Sequence, residues 1–162
     1  MSSTTMTEYT KPSDAINFTA LTRKPTARIG PVSLVGLKIF QTYRKIGENK
    51  VKMLKISVGS DVMKLMGWLP GDSVDLLFDV NNRLGCIRRV SGKDHDSFTL
   101  ICNTPKDRQE PGKFYSCRLE LRLDNMNQTE LASLLNGIYP VGTAQLVEDG
   151  YAVSDGYRFP LL

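Results

Sequence analysis

Six cations and two aromatic rings crowd the interval 38–55: Lys38, Arg44, Lys45, Lys50, Lys52 and Lys55, with Phe40 and Tyr43 among them. Cations that track a phosphate backbone and rings that stack on bases are the two ingredients of single-stranded nucleic-acid binding. Upstream, Arg23, Lys24 and Arg28 stand among Thr and Pro residues and would extend such contacts as a basic arm. The charge distribution points the same way. Residues 20–60 hold nine basic groups against Glu48 alone, net +8, in a chain whose formal charge is +4. Residues 61–162 hold eleven basic groups against fourteen acidic ones. Positive charge gathered in one stretch suits a polyanion, because each neutralised phosphate releases counterions. The competing reading is a solvated lysine face that keeps a sheet edge from aggregating.

Other chemistry is hard to assemble from this chain. Cys86, Cys102 and Cys117 lie far apart with no CxxC, and His95 is the one histidine. A zinc site would need them to converge without any spacing signal, so the cysteines read as small strand hydrophobes. No P-loop, GxGxxG, paired-carboxylate helix or Ser-His-Asp set is present. The expectation is a non-enzymatic protein without a cofactor or a metal. The polar N-terminus does not read as a signal peptide and no apolar run reaches membrane-spanning length, which implies a cytoplasmic setting without membrane contact.

The cations must be positioned by strands. Residues 31–43 alternate, with Val35, Leu37 and Ile39 on one face and Lys38, Phe40 and Arg44 on the other. Gly47-Glu48-Asn49 makes a turn, so this strand pairs as a hairpin with the β-branched run 50–58. Alternation sets Phe40 on the basic face and Tyr43 on the opposite, mostly apolar one. Either ring stacks bases or packs at the strand edge.

Downstream, 61–66 has helical spacing, with Ser60 or Asp61 as N-cap and Gly67 as a left-handed terminator. Leu69-Pro70-Gly71-Asp72 is a turn, and 74–79 and 84–90 are strands joined across Asn81-Asn82. Residues 98–102 read as one short strand and 104–113 as a polar loop. Over 115–123, Cys117, Leu119, Leu121 and Leu123 face in, and Arg118, Glu120 and Arg122 face out. Residues 129–136 form a helix with a Leu131, Leu134, Leu135 stripe, ended by Gly137. Residues 141–147 and 151–154 form a second hairpin, and 156–162 an apolar tail that docks on the body or meets a partner.

The stretch LMGWLPGDSVDL, within the order strand, short helix, turn, hairpin, resembles the swapped-hairpin DNA-binding domains of the AbrB, MazE and MraZ type. The resemblance covers about a quarter of the chain. It implies a duplex-DNA repressor or antitoxin whose hairpin is completed by a second copy, hence a homo-oligomer. The family's proline after the first strand is replaced by Ser57-Val58-Gly59-Ser60-Asp61, so no DNA-contact residue carries over. In overall character the chain is also similar to the small single-stranded-DNA-binding RNA polymerase cofactors of lytic bacteriophages.

The C-terminal third echoes the same order. At an offset of 70, LMGWLPGDSVDLLFD (65–79) meets LNGIYPVGTAQLVED (135–149) with five identities in fifteen. The expectation is therefore an α+β, mostly β chain. A flexible polar tail (1–29) precedes one globular domain (30–162), built from a duplicated strand–short helix–hairpin unit (50–90 and 115–155) in a compact barrel-like or swapped-hairpin arrangement. Its expected function is DNA binding in transcription regulation, single strands first and duplex second, with RNA polymerase as a further partner. A protein-interaction or structural module is the reading from another class. Neither helix is basic enough to read a major groove.

Overall fold

The computed structural model describes residues 6–10, 17–21, 35–92, 96–154 and 156–162. The chain divides into two units, 1–32 and 33–162. In the first, β1 (Met6–Thr10) pairs antiparallel with β2 (Asn17–Leu21).

The second unit begins with alternating apolar residues, which make β3 (Leu37–Ile46) and β4 (Asn49–Val58). Then come α1 (Ser60–Met66), β5 (Ser73–Asp79), β6 (Leu84–Arg89), β7 (Phe98–Thr99), β8 (Ile101–Cys102) and β9 (Cys117–Arg122). Helix α2 (Thr129–Ile138) and strands β10 (Ala144–Val147), β11 (Tyr151–Val153) and β12 (Gly156–Pro160) complete it. The strands form two five-stranded antiparallel sheets, ordered β10-β3-β4-β9-β8 and β11-β12-β6-β5-β7. The mostly β, α+β class is as expected. The barrel is not: the two sheets stay open.

One apolar cluster joins the sheets and helices. Leu37, Ile39, Leu54, Ile56, Val58, Leu119 and Leu121 enter it from the first sheet, and Val74, Ile87, Tyr157 and Phe159 from the second. Met63 and Trp68 enter from around α1, and Leu135 and Tyr139 from around α2. Phe159 lies across from Gly85, and a Cβ there would collide with its ring. The glycine thus makes room for an aromatic neighbour in mid-strand.

Local chemistry explains α1. Gly67, left-handed at φ 68°, ends it. Its N–H donates to the Lys64 carbonyl (3.2 Å) and that of Trp68 to Met63 (2.9 Å), a Schellman closure. Neither Ser60 nor Asp61 caps the other end. Gly59 occupies the N-cap, and the Asp61 carboxylate instead accepts the Gly36 N–H at 3.1 and 3.2 Å, tying the helix to the entry of β3. Gly71, at φ 90°, makes the following turn.

The echo diverges from α2 onward. Gly137 does not stop that helix, which runs to Ile138. Residues 141–147 and 151–154 are not a hairpin: β10 pairs with β3 in the first sheet and β11 with β12 in the second. The C-terminal tail supplies β12, wedged between β6 and β11. Residues 98–102 are also not one strand. Leu100, buried, accepts the Gly71 N–H and donates to the Asp72 carbonyl, and the chain there passes from β5 to β9.

Candidate nucleic-acid interface

The β3–β4 hairpin is longer than the sheet that holds it. β10 covers β3 only from Leu37 to Phe40, with one further bridge from Gln41 to Val141. β9 covers β4 only from Met53 to Val58. Among the described residues, Tyr43–Ile46 and Asn49–Lys52 are therefore paired with each other alone, a two-stranded ribbon extending ~14 Å at ~3.4 Å per residue.

Register divides its side chains between two faces. The face that continues the core carries Leu37/Val58, Ile39/Ile56 and Gln41/Leu54, and then Tyr43/Lys52 and Lys45/Lys50. The apolar layer stops at Gln41, which is buried and donates from its side-chain amide to the Asn136 and Tyr139 carbonyls at the end of α2. Beyond it the same face is open. Tyr43 is 53% exposed, and Lys45, Lys50 and Lys52 are exposed around it. Lys52 Nζ approaches Asn136 Oδ1 at 3.4 Å. Among the described residues, none of these three lysines has a carboxylate within ion-pair distance.

The outer face carries Lys38, Phe40 and Arg44 on β3, Lys55 on β4, and Arg118, Glu120 and Arg122 on β9. Glu120 gathers three cations: Arg118 at 3.3 Å, and Arg44 and Lys55 at 3.5 Å. Burial raises the Glu120 carboxyl, but the Arg118 hydrogen bond and the charges of Lys55, Arg118 and Arg44 outweigh it and hold it below the usual glutamate value. Asp124 takes Arg122 at 2.7 Å. Lys38 Nζ lies 5.3 Å from the centre of the half-buried Phe40 ring, a cation–π contact within the protein.

The eight expected site residues on the hairpin thus share one element but not one surface. Of the two rings left open between stacking and packing, Tyr43 is the one presented among lysines without a carboxylate in reach among the described residues, and Phe40 packs under Lys38. Arg118 and Glu120 were legible only as outward residues of a strand. The register, which sets Glu120 opposite Lys55 and Arg118 opposite Ser57, brings them into the ion-pair cluster of the outer face. Arg23, Lys24 and Arg28 lie outside the described residues, as does His95. Among the described residues no group of three or more His, Cys, Asp or Glu could hold a metal ion, and no helix is long and apolar enough to cross a membrane.

No known protein family, curated protein or solved structure matches the chain.

Proposed function

We propose that this protein binds single-stranded DNA through the core-side face of the β3–β4 ribbon, without catalysing a reaction. The observation that carries the reading is Tyr43 flanked by Lys45, Lys50 and Lys52 on one open face, with no carboxylate among the described residues to neutralise them. The lysines would follow successive phosphates and the Tyr43 ring would stack a base, a combination tolerant of sequence. A transcriptional role would follow if the strand engaged is one that RNA polymerase exposes.

A second reading is favoured by a separate observation: cations flank the ribbon on both faces. A two-stranded β-ribbon fits the ~12 Å major groove, where phosphates line both walls. That reading joins the AbrB-type resemblance of 65–76, with an oligomer reading a defined duplex.

Titrating labelled single-stranded and duplex oligonucleotides at two salt concentrations separates these readings. Tighter, sequence-tolerant binding of single strands with a steep salt dependence is expected. Preference for one duplex sequence by a large factor would transfer the proposal to the groove reading. Absence of any binding above micromolar strength would leave the lysines as solubilising groups on an interaction module.

A further inference from the structure

Two of the three cysteines, 15 positions apart in sequence, are brought together by the fold. Cys102 on β8 is the direct cross-strand partner of Cys117 on β9. The ladder identifies the kind of pairing. The next pair, Asn103 and Ser116, is hydrogen-bonded, with the Asn103 N–H donating to the Ser116 carbonyl at 3.1 Å. Pair types alternate along an antiparallel ladder, so Cys102 and Cys117 form a non-hydrogen-bonded pair, with Cα atoms ~4.5 Å apart and side chains on the same face. That separation lies within the range a disulfide spans, ~4.4–6.8 Å. Access differs between the two: Cys117 is fully buried, whereas Cys102 is part-exposed on a two-residue edge strand.

We propose that Cys102 and Cys117 are an oxidation site, forming a reversible cross-strand disulfide when a small-molecule disulfide is present. The Cys102 thiolate attacks one sulfur of the small disulfide, forming a mixed disulfide and releasing one small thiol. Cys117 then attacks the Cys102 sulfur, forming the protein S–S bond and releasing the second small thiol. Both protein thiol protons leave with those products. The protein gives up two electrons and the small disulfide is reduced to two thiols, so no further oxidant is needed. Burial first, and the adjacent Cys102 next, push the Cys117 thiol up to about 12, with Asp72 acting in the same direction and Arg118 against it. Cys102 is thus the entry point and Cys117 the resolving partner. The bond would fasten β8 and the 103–116 loop to the strand that carries Glu120.

The test uses the folded full chain, incubated with excess oxidised glutathione, alkylated under acid quench and mapped by mass spectrometry. The expected result is a mass lower by about 2 Da, a peptide pair joining Cys102 to Cys117, and Cys86 alone alkylated. Dithiothreitol should restore all three thiols. Cys102→Ser should abolish the bond and Cys86→Ser should leave it intact. Three alkylated thiols after oxidation, a glutathione adduct that persists on Cys102, or a bond that includes Cys86 would each overturn the assignment.

Discussion

The two faces of the β3–β4 ribbon have similar composition and opposite electrostatic states. On the outer face, Arg44 and Lys55 share Glu120 with Arg118, and Lys38 is spent on the Phe40 ring. On the core-side face, Lys45, Lys50 and Lys52 surround Tyr43 with no acidic neighbour in reach among the described residues. Counting cations along the sequence makes the faces equivalent. Counting cations left over after internal pairing does not. A paired cation must first give up its partner to bind a phosphate, which lowers its net contribution to a complex.

The largest expected effect separates the faces directly. Replacing Lys45, Lys50 and Lys52 together by Ala should weaken single-strand binding roughly a hundredfold near 0.1 M salt and lower the salt slope by ~2, at ~0.7 per lost phosphate contact. The matched outer-face triple, Lys38, Arg44 and Lys55 to Ala, should lose only about a few-fold, since its cations are already engaged. Fluorescence anisotropy across a salt series reads both, and equal losses would erase the distinction.

Next in size come the rings. Tyr43→Ala should cost ~1–3 kcal/mol of binding and Tyr43→Phe almost none. Phe40→Ala should leave affinity nearly unchanged and lower the unfolding free energy by ~1–2 kcal/mol, as for a half-buried aromatic, read from urea denaturation. If those two outcomes were exchanged, the stacking surface would be the outer one.

Smaller still is the effect of the carboxylate. Glu120→Gln should free Arg44 and Lys55 and tighten binding about twofold to threefold at low salt, an advantage that screening removes at high salt.

The smallest effect is one of pH on stability. The folded-state pKa of Glu120 lies below its ordinary value of 4.5. Its contribution is therefore present above ~4.5 and disappears as pH falls through the depressed folded value. Urea midpoints measured between pH 6 and pH 3 should show this decline in the native chain and a flatter profile in Glu120→Gln. Lys50→Ala, on the face with no carboxylate in reach among the described residues, should follow the native profile.

Some elements were readable because their determinants are local. The hairpin at Gly47-Glu48, the left-handed stop at Gly67, the Pro70-Gly71 turn and the alternation of 117–122 all use residues within a few positions of one another. The echo between 65–79 and 135–149 misled because matching residues do not meet matching surroundings. Gly67 faces the demand of a helix end. Gly137 sits one residue before the end of α2, where Ile138 still has a layer to pack on and the helix continues. The segments around Val141–Val147 and Tyr151–Val153 found better partners in β3 and β12 than in each other, and strand competition of that kind leaves no short-range trace. Likewise, the proximity of Cys102 and Cys117 follows from a register that spacing alone does not encode.

By itself the sequence determined a mostly β chain with a cation-rich hairpin near its front, because alternation, turn residues and charge are properties of neighbours. Only the tertiary structure decided which face of that hairpin is open. Alternation assigns Tyr43 to the same side as Leu37 and Ile39, but the covering layer ends at Gln41 and Leu54, where α2 and the partner strands stop. Past that boundary the same side of the ribbon meets water, and among the described residues no carboxylate shares the charge of its lysines.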